Sequence, residues 1–392
     1  MLWPVLALIP LSFLLAWPLT LIVIRLSQRV GALDSAGARG HSKILRNVPN
    51  TGGIAVFLAI AVPMLVGLLA ITLASDSLIA IVPGLETHVE RLHGEDGSLG
   101  TVLIGFGLLG GMLLMHIIGL IDDRASLGAL PKLGVQIAVA ATLAIWCEVR
   151  LLELLGPVPS VLITIAWIVV VTNAINFMDN MDGLAGGVSA IVASFLLTAT
   201  IINGQWFIAA ALALLIGALL GFLWFNLPPA RVFMGDGGSL VVGFLLAVLT
   251  TRTTFFHGDL GGSWYGVFMP LIMLAIPIYD FTTVTLIRLG QGKSPFVGDQ
   301  QHFSHRLVQR GLSTTSAVVI IWCFTAVTAI GGISLGYLET WQAALVFTQT
   351  GLILLTLALL EWAGHRGMGD RSAGRPAATS TQPLQDDVTR GT

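Results

Sequence analysis

The chain has 392 residues, of which 55% are hydrophobic and only 10% charged. That apolar excess excludes an ordinary soluble domain and makes lipid the expected solvent for most of the chain. The formal net charge of −2 supplies no global field to recruit nucleic acid, so any anion site has to be made locally.

A helix that crosses a bilayer needs about 20 apolar residues. Candidate spans lie at about 2–25, 54–75, 101–121, 133–149, 160–178 and 185–203, and then at 206–225, 238–251, 264–288, 314–337 and 343–362. The expected fold is therefore all-α, a polytopic integral membrane protein with about eleven transmembrane helices. The run at 238–251 is short and that at 264–288 long, which points to a half-span or a tilt. The first run lacks both a basic leader and a small-residue cleavage site, so it is read as a retained span. Residues 1–362 form one expected catalytic domain in the membrane, and 363–392, rich in Gly, Ser, Thr, Pro and charge, an expected disordered cytoplasmic tail. The 76–100 connection mixes apolar and charged residues and suits the outer membrane interface. Cys147 and Cys323 sit singly in apolar runs, so neither a disulfide framework nor a zinc cluster is expected.

Basic residues orient the spans. Sixteen of the nineteen Lys and Arg fall on one side, so that side is expected to be cytoplasmic, with the N-terminus outside and the C-terminus inside. Carboxylates then sort unequally. The outer loops hold six Glu among nine acids, whereas the inner loops hold Asp34, Asp122, Asp123, Asp179, Asp182, Asp236, Asp280 and Asp299, all aspartate. Short, stiff carboxylates suit a hard cation such as magnesium, which takes one or two of them and fills its shell with water and phosphate oxygens. Solvated loop acids are the plainer alternative for any one of them.

Four inner segments carry the chemistry. Asp122 and Asp123 are adjacent in GLIDDRASLGALPKLGVQ, where their charges repel unless a cation or a proton intervenes. Asn173, Asn176, Asp179 and Asp182 recur every third residue in TNAINFMDNMDGLAGG and form one polar ladder at a helix end. In FNLPPARVFMGDGGS, Asp236 stands between glycines before a new helix, whose free N–H groups suit a phosphate. Asp280 is either a packing residue or a site residue. Arg288, Lys293, Arg306 and Arg310 suit a polyanion clamp, with His302 and His305 at i, i+3 beside them. His116, inside a span, reads as a packing residue.

In these four blocks, and in their order, the chain resembles the polyprenyl-phosphate N-acetylhexosamine-1-phosphate transferases over about residues 34–313. The resemblance implies that Asp236 and Asp123 hold magnesium, with manganese as the alternative ion. It implies that Asp122 and Asp123 act on the metal and the lipid phosphate, that Asn176, Asp179 and Asp182 line a nucleotide site, and that Phe233 stacks near uracil. His302 and His305 would meet the diphosphate, and Asn173, Lys132 and Arg306 complete the candidate substrate set. The implied reaction moves a sugar-1-phosphate, by its HFSH histidine pattern GlcNAc-1-phosphate, from a UDP-sugar to undecaprenyl or another polyprenyl phosphate and releases UMP. The implied place is the cytoplasmic face of a bacterial inner membrane. A phospho-N-acetylmuramoyl-pentapeptide transferase and, from another class, a cation-coupled transporter are the alternatives, and a homodimer stays open. Two positions depart from the family pattern: Asn180 stands at a usual glycine and Ser304 at a usual histidine.

Overall fold

A computed structural model describes residues 1–30, 48–75, 77, 100–125, 127–253, 264–293 and 301–373, without the side chains of 101 and 362–373. Asp34, Asp299, the basic residues 39–46 and nearly all of the 76–100 connection lie outside the described residues. Thirteen α-helices are described, and no strand accompanies them among the described residues. They are α1 (Leu2–Val30), α2 (Gly53–Leu73), α3 (Gly100–Arg124), α4 (Ala129–Trp146), α5 (Pro157–Met178), α6 (Leu184–Ile202) and α7 (Trp206–Asn226). There follow α8 (Asp236–Arg252), α9 (Met269–Met273), α10 (Ala275–Gly290), α11 (Phe303–Gln309), α12 (Thr314–Ser334) and α13 (Thr340–Ala373). Helix is the form that satisfies every backbone N–H and C=O within its own segment, which hydrocarbon surroundings demand.

The chain is a multi-pass membrane protein. Nine of the described helices, α1–α7, α12 and α13, are long and apolar enough to cross a bilayer. A tenth candidate is the pair Trp264–Met273 and Ala275–Gly290, bent by 65° at Leu274. The break has a local cause: Pro277 has no N–H to offer the Met273 carbonyl, so the ladder is interrupted there. Thus the long run expected at 264–288 is two helices rather than one tilted span.

The short run at 238–251 became α8. With 17 residues it spans about 26 Å, somewhat less than a hydrocarbon core of about 30 Å. Its residues from Gly237 to Thr251 are all buried. It packs against α5 and α3, and also touches α2, α6 and α7, which makes it the axis of the bundle. The last helix runs to Ala373, past the domain end expected at 362; no proline interrupts the chain before Pro376.

A second apolar cluster lies beside this axis. Phe303 and Leu307, i and i+4 on α11, are buried there with Met178, Leu184, Ile276, Ile321 and Leu357. It anchors the short histidine-bearing helix to the ends of α5, α6, α10, α12 and α13.

Candidate active site

The expected ladder and clusters converge at one end of the bundle, where α3 and α5 end and α4 and α8 begin. Asp236 opens α8 after Gly235, whose φ of +69° lies in the region that favours glycine. A Cβ at Gly235 would sit 2.4 Å from the Asn50 carbonyl oxygen and 2.7 Å from Asp123 Oδ2. One turn before the Asp pair, a Cβ at Gly119 would come 2.4 Å from the Asp236 carbonyl oxygen. Glycine at both positions lets α3 and the start of α8 touch backbone to backbone.

This contact changes the reading of the helix start. The backbone N–H groups of Asp236 and Gly237 donate to Asp123 Oδ1 and Oδ2 at 2.9 and 3.0 Å. The next two, of Gly238 and Ser239, donate to the Gly235 carbonyl at 3.0 and 2.9 Å. The free N–H cradle expected for a phosphate is therefore filled: the anion at this helix N-terminus is Asp123, supplied by α3. His116, also on α3, places Nδ1 2.7 Å from the Gly237 carbonyl oxygen and stacks on Phe57, so it packs as expected.

Asp122 and Asp123 escape their mutual repulsion by facing different partners. Lys132 Nζ donates to Asp122 Oδ2 and to Asp236 Oδ2, both at 2.8 Å, and the Leu127 N–H donates to Asp122 Oδ1 at 2.8 Å. The other oxygen of Asp236 accepts from Asn176 Nδ2 at 3.0 Å, and the same amide reaches Ser239 Oγ at 2.8 Å. Asn173, one turn earlier on α5, donates to Gln136 Oε1 at 2.6 Å. Gln136 follows Lys132 by four residues, so one face of α4 serves both rungs. Sequence reasoning passed over Gln136 and Ser239; the i, i+4 spacing from Lys132 was the available signal for the first.

Asp179 closes α5, and with Asp236 it lies close enough to Asp123 to repel its charge. Asp182 serves another group: its Oδ2 accepts the Ala230 N–H at 3.0 Å and fastens the Pro228–Pro229 loop. With Pro228, Pro229, Ala230, Thr314 and Thr315 it lines a cavity of about 390 Å³. Phe233 is half-buried, and its backbone accepts from the Gly52 N–H at 2.9 Å and donates to the Pro49 carbonyl at 2.7 Å.

The histidines form a neighbouring group that shares the last turn of α5. Asp280, almost wholly buried, takes His302 Nδ1 at 2.9 Å and the Phe303 N–H at 2.7 Å, so it holds the candidate histidine in place. The His302 ring meets Phe177 edge-on at 5.4 Å, and His305 lies 6.4 Å from it, centroid to centroid. The expected polyanion clamp is corrected. Arg306 is buried and pairs with Glu361 of α13 at 2.8 Å, Arg310 donates to the Glu361 carbonyl, and buried Arg288 lies over the Phe177 ring at 5.2 Å. A buried guanidinium needs a counter-charge, and Glu361, an acid left without a role in the sequence, supplies it. Exposed Lys293 alone keeps the clamp's expected solvent-facing character.

Chemically, the first group sets two carboxylates, Asp122 and Asp236, on one ammonium, with Asp123 on the start of α8 and Asp179 as further acids nearby. Negative charge is in surplus, and each carboxylate keeps lone pairs beyond the bonds described. Such hard oxygen donors fit a magnesium ion. Among the described residues no three metal-binding side chains converge on one point. One or two aspartates, substrate phosphates and water would complete that ion's shell.

Known proteins similar to the chain place it in a family. Residues 105–254 match the family described as glycosyl transferase family 4, a segment that includes every residue from Asp122 to Asp236 discussed above. The chain is 29% identical over 348 residues to a probable undecaprenyl-phosphate N-acetylglucosaminyl 1-phosphate transferase of Bacillus subtilis (strain 168), covering 86% of each. It is 31% identical over 339 residues to the decaprenyl-phosphate N-acetylglucosaminephosphotransferase of Mycobacterium tuberculosis (strain ATCC 25618 / H37Rv), covering 79% of this chain and 77% of that one. A third relative, the undecaprenyl-phosphate alpha-N-acetylglucosaminyl 1-phosphate transferase of Escherichia coli (strain K12), is 30% identical over 239 residues, 56% of this chain and 62% of its own.

Proposed function

The chain belongs to glycosyl transferase family 4, and from that premise we propose that it transfers GlcNAc-1-phosphate from UDP-GlcNAc to a polyprenyl phosphate. The observation that carries the reading is the Asp122–Lys132–Asp236 bridge, with Asp123 and Asn176 locked to the same helix start. Relatives named for N-acetylglucosamine transfer support the choice of sugar over a muramoyl-pentapeptide.

In this reaction an oxygen of the lipid phosphate attacks the β-phosphorus of the sugar nucleotide. A new O–P bond forms, the bond to the UMP oxygen breaks, and UMP leaves. The nucleophile is a phosphate monoester with a second pKa near 6, mostly dianionic at neutral pH, so no strong general base is required. The protein has to bring two polyanions into line and cancel charge as it moves. Lys132 holds Asp122 and Asp236 in one orientation, and Asp123 clamps the start of α8 beneath them. Asn176 fixes the second oxygen of Asp236. Asp179, Asp182 and Phe233 line the nucleotide side, and His302 and His305 face the diphosphate, with His302 oriented by Asp280. Magnesium, or manganese in its place, would be held by Asp236 and Asp123 and would supply positive charge to the diphosphate oxygens.

The water-soluble donor and the bilayer-bound acceptor meet at an interface. The excess of basic residues in the sequence of the loops expected at this end supports the cytoplasmic one, with the N-terminus outside. The test is UMP release by purified protein given magnesium, UDP-GlcNAc and undecaprenyl phosphate, with Asp236→Asn reducing it to background. No UMP from any sugar nucleotide would sink the reading.

A further inference from the structure

Two helices and one turn each capture a different side chain at the start of the histidine helix α11. Asp280 of α10 holds His302, and Glu361 of α13 holds Arg306. Between them Ser304, almost wholly buried, donates its hydroxyl to Asn180 Oδ1 at 2.6 Å. Asn180 belongs to the turn between α5 and α6, which also carries Asp179 and Asp182.

The amide of Asn180 is directed at both ends. Its Nδ2 donates to the Phe177 carbonyl at 2.6 Å, which leaves the oxygen as the atom available to Ser304. The ring of that same Phe177 meets His302 edge-on. One neutral hydrogen bond therefore joins the turn after α5 to the helix that is capped by His302 and bears His305. Positions 180 and 304 are also the two at which the motifs depart from the pattern they otherwise resemble. A glycine at 180 has no side chain with which to reach α11, and a histidine at 304 would bring a bulkier ring into this buried contact. Each departure answers the other: one adds the reaching group, the other removes the bulk and adds a donor.

We propose that Asn180 and Ser304 are a coupled positioning pair that sets the placement of α11, and with it His302 and His305, against the α5–α6 turn. The proposal rests on the phosphotransfer reading above. Both side chains bond to protein groups, Asn180 to the Phe177 carbonyl and to Ser304, so the pair acts through the histidines it places, and its effect is expected in kcat rather than in donor binding.

The experiment is a double-mutant cycle on the full-length, reconstituted protein, with UMP release measured per folded molecule. Ser304→Ala and Asn180→Ala should each lower kcat about tenfold, the scale of one hydrogen bond, and change KM for UDP-GlcNAc less than about twofold. The double variant should be no worse than the more impaired single one. Losses that multiply to about a hundredfold, or singles with unchanged kcat, overturn the pair. Should an alanine variant not fold, the exchange N180G/S304H decides: it should exceed both N180G and S304H alone, and a double slower than both overturns the coupling. An inactive wild type refutes phosphotransfer itself and the positioning role with it, whereas an active wild type with additive losses refutes only the pair.

Discussion

Replacing Lys132 with methionine keeps the length of the side chain and removes its charge, leaving Asp122 and Asp236 facing each other without a cation. Both contacts are 2.8 Å, and the three side chains are 22%, 16% and 25% exposed. At an effective dielectric constant of about 20, each contact amounts to roughly 6 kcal/mol before desolvation. Desolvation and side-chain ordering return most of this, and truncating one member of a buried, hydrogen-bonded charge pair costs about 2–5 kcal/mol. Partial exposure places Lys132 toward the lower end, at about 2–3 kcal/mol. If that loss is felt in the transition state, kcat/KM falls about 30- to 150-fold. UMP release under subsaturating donor reads it directly. Lys132→Met combined with Asp122→Asn should recover part of the loss, because one orphaned charge is gone. A single Lys132→Met variant within about threefold of wild type, with its fold intact, would refute the bridge as an organiser of the site.

Gly235→Ala should prevent the start of α8 from seating, since its φ is positive and its Cβ would lie 2.4 Å from the Asn50 carbonyl oxygen; a strong fall in thermal midpoint or in folded yield is the readout. Arg306→Met should destabilise the protein by about 3 kcal/mol, because Glu361 is left buried without its partner, while KM for the donor stays within about twofold. A tenfold rise in KM at unchanged stability would instead return Arg306 to the substrate site. Chelation should abolish UMP release by the wild type, magnesium should restore it, and manganese should restore part of it; activity unaffected by exhaustive chelation would remove the metal from the mechanism.

The sequence by itself determined the helices and the residue types of the site. Each of the eleven expected runs coincides with a helix or a helix pair, because hydrocarbon surroundings enforce a length and a composition that can be read locally. Asp122, Asp123 and Asp236 were legible because aspartate without glutamate on one side of a membrane protein is an unusual pattern, and Asn176 because it recurs with Asn173, Asp179 and Asp182 at every third residue. Partnership was not legible, and only the tertiary structure decided it. Asp123 reaches the backbone of residues 113 and 114 positions away, and Lys132 joins two aspartates of which one is 104 positions away. No local period encodes such contacts. They arise because glycines at 119 and 235 let two helices approach until one helix's carboxylate replaces the phosphate expected at the other's N-terminus. The same limit misassigned Arg306, whose charge looked available until Glu361, 55 residues away, folded onto it. The inner aspartates thus announced a charged site, and the packing of α3, α4, α5 and α8 decided which of their oxygens are spent on the protein and which remain for a ligand.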